Sequence, residues 1–294
     1  MPTDVVITRE IAQLPERRDD AHKGDVGRLV VVGGCCTETL MVGAPALAAN
    51  AAFRSGAGLV QLLVPEPIRS AAAVLAPCAT THTLPAEAAS LLEAVTAFRA
   101  DVVALGPGLG DSLTPVVVAE FLTSFTGPVV VDADGLNALC QAPPFEIPDP
   151  GRVIMTPHGG EMRRLLAARG RDHPIDASRA GRQEAACELS ELYGCTSVLK
   201  GRGTVVTDGH RLYVNETGNA GMATGGAGDV LTGVIAALLG QGVMPLEAAI
   251  LGVYLHGLAG DFASEELGRL CMTAMDLVEY LPEAFSEHEM SASE

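Results

Sequence analysis

The stretch Leu29-Val30-Val31-Val32-Gly33-Gly34 decides the fold, because it is a short continuous run of branched apolar residues that ends in two glycines. Such a run predicts a strand that is buried on both faces. Similar runs recur with helical patterns between them, and strands that alternate with helices indicate a parallel sheet with helices on both sides. We therefore predict an α/β protein, with three α/β/α layers and a mostly parallel central sheet. The helical patterns are 43–53, 66–75, 86–98 and 113–125, and the further strands are 58–64, 101–105, 128–131 and 152–155.

The chain shows no internal repeat and no break in composition, so residues 1–294 are predicted to form a single domain. Residues 1–25 are polar and indicate an N-terminal arm with at most a short helix. Residues 283–294 are acidic and contain serine, which predicts a frayed or disordered tail. The second half of the domain is predicted to contain a helix at 176–193, short strands at 196–199, 203–207 and 211–214, and apolar helices at 227–240 and 245–264.

The composition excludes several classes of protein. The 294 residues include 36 acidic and 19 basic side chains, which give a formal net charge of −17. A chain this negative is repelled by nucleic-acid phosphates and by anionic lipid, so neither is predicted as a partner. The longest apolar runs are shorter than the roughly 20 residues that span a bilayer. Seven cysteines without a Cys-x-x-Cys pair indicate neither a disulfide framework nor a zinc site, and together these features predict a soluble, reduced, cytoplasmic protein.

The strongest candidate site is the run Asn219-Ala-Gly-Met-Ala-Thr-Gly-Gly-Ala-Gly-Asp229, which precedes an apolar helix. Consecutive glycines expose backbone N–H groups, and the N-terminus of a helix adds partial positive charge, so this run is typical of a phosphate site. Asp229, in the first helical turn, could act as a general base toward a hydroxyl group held there. Alternatively it only complements the helix dipole. The four glycines that precede it favour the catalytic role.

Two further glycine-containing groups follow predicted strands. Gly106-Pro107-Gly108-Leu109-Gly110 follows the strand at 101–105 and is either a ligand loop or a tight turn, since it lacks the Gly-x-Gly-x-x-Gly spacing. Lys200-Gly201-Arg202-Gly203-Thr204 contains one of only two lysines in the chain. It suits a phosphate or the edge of a nucleotide, and the alternative is a charged hairpin turn. Ligands of doubly wound sheets bind at such strand ends.

Polar residues at two other strand ends could bind a metal or cap a helix. His158 and Glu161 are three residues apart at the start of a predicted helix, where His158 is otherwise a helix cap or a structural histidine. Asp132, Asp134 and Glu161 could hold Mg²⁺ through waters. Asp134 could equally cap a helix at 135–140.

Residues 218–233, Gly-Asn-Ala-Gly-Met-Ala-Thr-Gly-Gly-Ala-Gly-Asp-Val-Leu-Thr-Gly, closely resemble the signature of ADP-dependent NAD(P)H-hydrate dehydratases. These are ribokinase-like repair enzymes that are often fused to an epimerase domain. The resemblance extends from Lys23 to about Leu281, which leaves no room for the epimerase and implies the stand-alone form. It departs from the family at Ala220, where proline is usual, at Ala227, where threonine is common, and in the loop 35–42. The other motifs that carry it are 23–27, 43–44, 54–60, 106–110, 132–137, 156–161 and 200–204.

The resemblance implies dehydration of the S-epimer of NADHX or NADPHX to NADH or NADPH. ADP is the phosphoryl donor and becomes AMP and phosphate, with Mg²⁺ as cofactor. The implied route is phosphoryl transfer to the hydroxyl group of the hydrate, followed by loss of phosphate with help from the electron pair of the ring nitrogen. The family also implies a homotetramer.

The resemblance assigns roles to particular residues. Asp229 would be the catalytic base, and Glu161 would organise Mg²⁺. The hydrate would be bound by Gly43, Ala44, Gly106, Gly108, His158 and Asp229. The adenine nucleotide would be bound by Lys200, Gly201, Arg202, Gly203, Thr204, Asn219, Gly225, Gly226 and Gly228.

Three other functions compete with this interpretation. A ribokinase-like kinase that uses ATP on a small alcohol would need the same glycines and the same aspartate, and it is disfavoured by His158 in place of asparagine and by the 106–110 loop. A catalytically silent adenine-nucleotide-binding regulator predicts loss of the base, yet Asp229 is present. An NAD-dependent oxidoreductase is weaker still, because the first strand is not followed by Gly-x-Gly-x-x-Gly.

Overall fold

The computed structural model describes residues 5–171 and 175–291, and all of their strands join one ten-stranded sheet. The spatial order is β1-β10-β9-β8-β7-β6-β5-β2-β3-β4. Each strand runs parallel to its neighbours, except that β9 is antiparallel to both β8 and β10. The strands are β1 (Val6–Ile7), β2 (Arg28–Val32), β3 (Leu59–Val64), β4 (Thr80–Thr83), β5 (Val102–Leu105), β6 (Val129–Val131), β7 (Val153–Met155), β8 (Thr196–Leu199), β9 (Val205–Thr207) and β10 (Arg211–Val214).

Helices cover both faces of the sheet and complete the three predicted layers. Both faces of the strand β2 are apolar and therefore need cover. The fully buried Val31 belongs to the core on one face, and the equally buried Val30 and Val32 belong to the core on the other. The first core contains residues from α1 (Gly43–Arg54), α2 (Arg69–Leu75), α8 (Ala227–Gly240), α9 (Pro245–Leu267) and α10 (Ala274–Ser291). The second contains residues from α3 (Ala88–Phe98), α4 (Pro115–Ser124), α5 (Ala133–Gln141), α6 (Gly159–Ala168) and α7 (Arg179–Tyr193).

The α/β fold with a mostly parallel sheet is confirmed, and the structure adds two strands that the sequence did not predict. The strand β4 was missed because Thr80–Thr83 is polar and only partly buried at the edge of the sheet. In the N-terminal arm, β1 pairs with β10 through a Val6 N–H bond to the carbonyl of His210. Residues 5–25 contain this strand but no helix.

The predicted disordered tail at 283–294 is wrong for residues 283–291, which continue α10; residues 292–294 lie outside the described residues. The helix is ordered because Leu277, Leu281, Ala284 and His288, spaced three or four residues apart, form one buried face. The ring of His288 bonds through Nε2 to the carbonyl of Ala12 at 2.9 Å. Among the acidic residues that suggested disorder, Glu283, Glu287 and Glu289 lie on the solvent face of this helix.

In the described ranges, 5–171 and 175–291, no helix has the length and apolar character that a membrane span needs.

Candidate active site

Five adjacent parallel strands, β8-β7-β6-β5-β2, end at the same edge of the sheet and bring the predicted motifs together. Lys200 follows β8, Thr156-Pro157-His158 follows β7, and Asp132 follows β6. Gly106 follows β5, and Gly33 follows β2. Motifs that are up to 167 residues apart in the chain, from Gly33 to Lys200, therefore form one row, as expected for the ligand edge of a parallel sheet.

The glycine loop, defined here as residues 217–226, leads into α8 above this row. Gly226, the residue before the helix, has φ +94°, a left-handed conformation that favours glycine, and no side chain caps the helix at this position. Gly225 is exposed, and a Cβ atom placed on it would meet no other atom within 4 Å. The N-terminus of α8 is therefore open to a ligand, as the phosphate interpretation requires.

An ion pair between Lys200 and Asp132 lies directly beneath the first turn of α8. Asp132 is almost fully buried and accepts a hydrogen bond from the Lys200 ammonium through Oδ1 and one from the Thr232 hydroxyl at 2.8 Å through Oδ2. A Cβ atom placed on Gly228 would lie 3.3 Å from Lys200 Nζ, so the ammonium touches the turn. Residues 200–204 join the antiparallel strands β8 and β9, so the hairpin alternative for this motif is confirmed. The Lys200 side chain nevertheless points inward to Asp132 and is only 17% exposed.

Asp229 lies three residues before Thr232 on α8, beside the same ion pair. Burial raises the pKa of its carboxyl group from 3.8 to about 7, with a further rise from the negative charge of Asp132 and a partly offsetting decrease from Lys200. A carboxylate that only complemented a helix dipole would have its pKa lowered. A pKa near neutrality instead suits a group that takes a proton in one step and releases it later.

The 106–110 loop packs against both α1 and α5. Gly108 has φ +58°, and a Cβ atom placed on it would lie 2.9 Å from the Cβ of Ala44, so this loop and the start of α1 touch. At Gly43 a Cβ would meet no atom within 4 Å, which leaves the N-terminus of α1 open. A Cβ on Gly106, with φ +123°, would lie 1.9 Å from the carbonyl oxygen of Asp132, so only glycine fits there. The four residues predicted to bind the hydrate here are therefore neighbours.

The alternative that Asp134 caps a helix at 135–140 is wrong, because the helix begins one residue before Asp134. Its Oδ2 accepts the Gly110 N–H at 2.8 Å and its Oδ1 accepts from the side chain of Asn137 at 3.1 Å. The turn before it is strained, since Ala133 has φ +48°. This turn separates the two aspartates: Asp132 faces α8, whereas Asp134 holds the 106–110 loop.

His158 and Glu161 form a reciprocal cap at the start of α6. His158 Nδ1 accepts the N–H groups of Gly160 at 2.9 Å and Glu161 at 3.4 Å, and Glu161 Oε2 accepts the N–H of His158 at 2.8 Å. The capping alternative for His158 is thus confirmed. The His158 side chain is still 55% exposed, so its outer edge remains accessible beside the strand ends.

The carboxylates at this edge do not form a ready-made metal cage. Glu161 is 5% exposed and its second oxygen lies 3.3 Å from the ring of His158, while the oxygens of Asp132 and Asp134 are engaged as described above. Over residues 5–171 and 175–291 there is no group of three metal-ligating side chains. Mg²⁺ usually keeps several waters and binds through one or two carboxylates together with substrate phosphates. The arrangement fits an ion that arrives with a nucleotide, and it does not fit a resident ion.

The turn 200–204 is built by an arginine that the sequence did not single out. Arg182, on α7, donates to the carbonyls of Leu199 at 3.1 Å and Lys200 at 3.4 Å. Thr204 Oγ1 donates to the carbonyl of Gly201 at 2.9 Å, so its hydroxyl closes the turn. Arg182 occupies an ordinary position in a helical pattern, and no local motif marked it.

Asn219, predicted to bind the nucleotide, has a side chain that is engaged within the protein. Its amide donates to the carbonyl of Gly260 at 2.8 Å and to Asp261 Oδ1 at 2.9 Å, and its oxygen accepts the N–H of Gly221 at 2.9 Å. Asp261 is a second residue that sequence reasoning missed. It lies in an apolar helical pattern, where an isolated aspartate carries no local signal.

Comparison with known proteins agrees with this geometry. Residues 29–283 match the family described as NAD(P)H-hydrate dehydratase. The bifunctional NAD(P)H-hydrate repair enzyme Nnr of Moorella thermoacetica is 42% identical over 283 residues, which cover 92% of this chain and 51% of that protein. The enzyme of the same name from Escherichia coli is 40% identical over 265 residues, with 90% and 48% covered. The chain therefore spans about half the length of the curated relatives that it matches.

Solved structures show the same fold. The ADP/ATP-dependent NAD(P)H-hydrate dehydratase of Bacillus subtilis, co-crystallised with ATP and Mg²⁺, is 29% identical with a TM-score of 0.76, over 94% of this chain and 95% of that one. A ribokinase-like superfamily protein from Enterococcus faecalis is 26% identical with a TM-score of 0.78, over 94% and 92%. Hydroxyethylthiazole kinase from Pyrococcus horikoshii, at 15% identity and a TM-score of 0.57 over 88% of each chain, shares the fold alone.

Proposed function

The chain belongs to the NAD(P)H-hydrate dehydratase family, and we propose that it dehydrates the S-epimer of NADHX or NADPHX with ADP as phosphoryl donor. The observation that carries the proposal is the placement of Asp229. This carboxyl group, with a pKa raised to about 7, lies in the first turn of α8, next to an open glycine loop and a buried lysine. Such a site holds a phosphoryl group and a hydroxyl group side by side.

In the first step, the Asp229 carboxylate takes the proton of the hydrate's hydroxyl group. The hydroxyl oxygen bonds to the β-phosphorus of ADP, and the bond from that phosphorus to the AMP oxygen breaks, so AMP leaves with the electron pair. The N–H groups at the start of α8 and the Lys200 ammonium, which touches Gly228, stabilise the negative charge on the transferring group.

In the second step, the bond between the ring carbon and the phosphate oxygen breaks, and phosphate leaves with the electron pair. The electron pair of the ring nitrogen stabilises the cation that forms, and loss of a proton from the adjacent carbon restores the double bond of NADH or NADPH. The sum is hydrate plus ADP giving reduced nucleotide, AMP and phosphate. ADP hydrolysis thereby drives the removal of water.

The proposed hydrate contacts are Gly43, Ala44, Gly106, Gly108 and His158, together with Asp229. The first four are neighbours in the fold, which supports their acting as one surface. The nucleotide is proposed to bind along the turn 200–204 and at Gly225, Gly226 and Gly228. For Asn219 the hydrogen bonds support an indirect contribution through the loop backbone.

Glu161 is the proposed residue for Mg²⁺, through a water molecule, because its buried carboxylate lies in the first turn of α6, shortly after the end of β7. Bound Mg²⁺ would neutralise phosphate charge as a Lewis acid. The homotetramer, the stand-alone form and the cytoplasmic location stay predictions. Light scattering of the purified protein would test the first of these.

The test mixes purified protein, Mg²⁺ and NADHX with either ADP or ATP and follows the absorbance of the reduced nicotinamide. Recovery with ADP, and much less with ATP, is the expected result. Equal recovery with both nucleotides would contradict the ADP preference while leaving the dehydration in place. Nucleotide binding without any recovery would contradict the dehydration and favour a kinase that acts on a small alcohol.

A further inference from the structure

The glycine loop packs against one face of α9. The approach is so close that only glycine fits at the helix positions that it contacts. Thr217 Oγ1 donates to the carbonyl of Tyr254 at 2.9 Å. A Cβ atom placed on Gly257 would lie 2.2 Å from Thr217 Oγ1, and one placed on Gly260 would lie 2.4 Å from the sulfur of Met222. The loop backbone therefore sits directly on the helix.

Asp261 binds the beginning of the loop with both of its carboxylate oxygens. Oδ2 accepts the N–H of Gly218 at 2.8 Å, and Oδ1 accepts from the amide of Asn219 at 2.9 Å. Gly260 and Asp261 lie three and four residues after Gly257, so both share a face of α9 with it. The carboxylate is half-buried between the helix and the loop.

Asn219 links Asp261 to a later part of the loop, the backbone of Gly221. Its amide donates to Asp261 and to the carbonyl of Gly260, while its oxygen accepts the N–H of Gly221. An amide side chain has two donor hydrogens and one acceptor oxygen. These bonds use both of the donor hydrogens within the protein.

We infer that Asp261 is a positioning residue for nucleotide binding, which fixes the glycine loop on α9 through Gly218 and Asn219 so that the loop is ordered before the nucleotide arrives. The inference rests on the proposed function, because it takes the glycine loop as the nucleotide site. A loop that is already ordered binds more tightly, since little conformational entropy is lost on binding. Asn219 then acts through the same clamp and not by touching the nucleotide.

A double-mutant cycle measures this coupling directly. ADP dissociation constants are determined by calorimetry for the wild-type protein, Asp261→Ala, Asn219→Ala and the double variant. Each single substitution removes hydrogen bonds to a charged group, so each is expected to weaken ADP binding by about tenfold. The double variant is expected to bind about as weakly as either single variant, because the two residues form one clamp. Asp261→Glu, which keeps both oxygens, should recover part of the affinity.

Asp208→Ala is the matched control. Its carboxylate also accepts two backbone N–H groups, those of His210 and Arg211, but in the β9–β10 turn at the opposite edge of the sheet. Asp208→Ala should lower the Tm about as much as Asp261→Ala does and leave the dissociation constant of ADP unchanged. The KM for NADHX should stay within about twofold in all variants, as expected when an effect is confined to one substrate.

Wild-type ADP affinity in Asp261→Ala would overturn the inference, and so would additive losses in the double variant, because additivity would mean that Asn219 contacts the nucleotide independently. The proposed function is tested by a separate assay, the recovery of NADH from NADHX. If the wild-type protein binds ADP but recovers no NADH, weaker ADP binding in Asp261→Ala still supports the clamp while the dehydration fails. Absence of ADP binding in the wild-type protein would overturn both.

Discussion

Lys200 and Asp132 form an ion pair across the end of β7, the strand that separates β8 from β6 in the sheet. The Asp132 side chain is 2% exposed and that of Lys200 is 17% exposed, so neither charge is well solvated. The Thr232 hydroxyl satisfies the second oxygen of Asp132 at 2.8 Å. In such a pair, each charge is tolerated because the other is present.

Removing one partner should therefore cost more stability than removing both. Lys200→Met leaves the Asp132 charge buried and is expected to lower the free energy of unfolding by about 3 kcal/mol. Adding Asp132→Asn to that variant should restore part of the loss, whereas turnover should stay low because the ammonium is gone. Urea unfolding of the two single variants and the double variant measures this, and strictly additive losses would show that the pair is not coupled.

The pH dependence of turnover should follow Asp229. The base acts when it is deprotonated, so kcat/KM is expected to fall as the pH drops below about 7, the value to which burial and Asp132 raise the pKa of this carboxyl group. Asp132→Asn removes one of the causes that raise the pKa of Asp229 and should move this decrease in kcat/KM to lower pH. Thr232→Val keeps the Asp132 charge and serves as the control. A pH profile that is the same in Asp132→Asn as in the wild-type protein would contradict the coupling.

Replacing Asp229, the proposed base, should stabilise the protein while it removes activity. The pKa of Asp229 is raised in the folded state above its ordinary value of 3.8, so folding is penalised once the pH exceeds that value, and the penalty is complete above about pH 7. Because the side chain is half-buried, the gain expected for Asp229→Asn is about 1 kcal/mol at pH 8, disappearing near pH 4. Thermal unfolding at both pH values tests the sign, and turnover should fall by orders of magnitude.

Substitutions of His158 can distinguish its role as a helix cap from a contact with the substrate. Asparagine is a good helix cap, so His158→Asn should keep the stability of α6, whereas His158→Ala should lose about 1 kcal/mol. If the exposed edge of the ring contacts the hydrate, both variants should raise the KM for NADHX to a similar extent. An unchanged KM in His158→Asn would confine this residue to its capping role.

Glu161→Gln, which keeps an acceptor oxygen, should spare the cap and raise the Mg²⁺ concentration needed for turnover.

Most of the fold could be predicted because the buried strands carry their signal locally. The runs around Val31 and Val130 are continuous, apolar and closed by glycine or aspartate, and both strands lie where the sequence placed them. By contrast, β4 (Thr80–Thr83) is an edge strand whose polar side chains lack the pattern of a buried strand. It exists because β3 provides a neighbouring strand to pair with, and this information is not local.

The placement of the candidate site residues follows the same rule. The glycine loop and Asp229 occupy one contiguous stretch, so their position at the start of α8 could be inferred from the sequence. Asp261 and Arg182 hold the two turns that are proposed to bind the nucleotide. Hydrogen bonds link Asp261 to Gly218, 43 residues earlier, and Arg182 to Leu199, 17 residues later. Contacts of that range follow from the packing of helices and have no motif of their own.

Substitutions near the end of α10 test whether residues 283–291 pack as a helix, as the structure shows, and are not a disordered tail. Ala284 is buried on the inner face of the helix and Ser286 is exposed two residues later, so Ala284→Asp and Ser286→Asp add the same carboxylate to opposite sides. Burial of an unpaired charge should make Ala284→Asp less stable by about 3 kcal/mol, a loss of several degrees in Tm, while Ser286→Asp should change little. Since α10 packs on α1, whose first residues are proposed to bind the hydrate, Ala284→Asp should also raise the KM for NADHX. Equal and negligible effects of the two substitutions would mean that this segment does not pack as a helix.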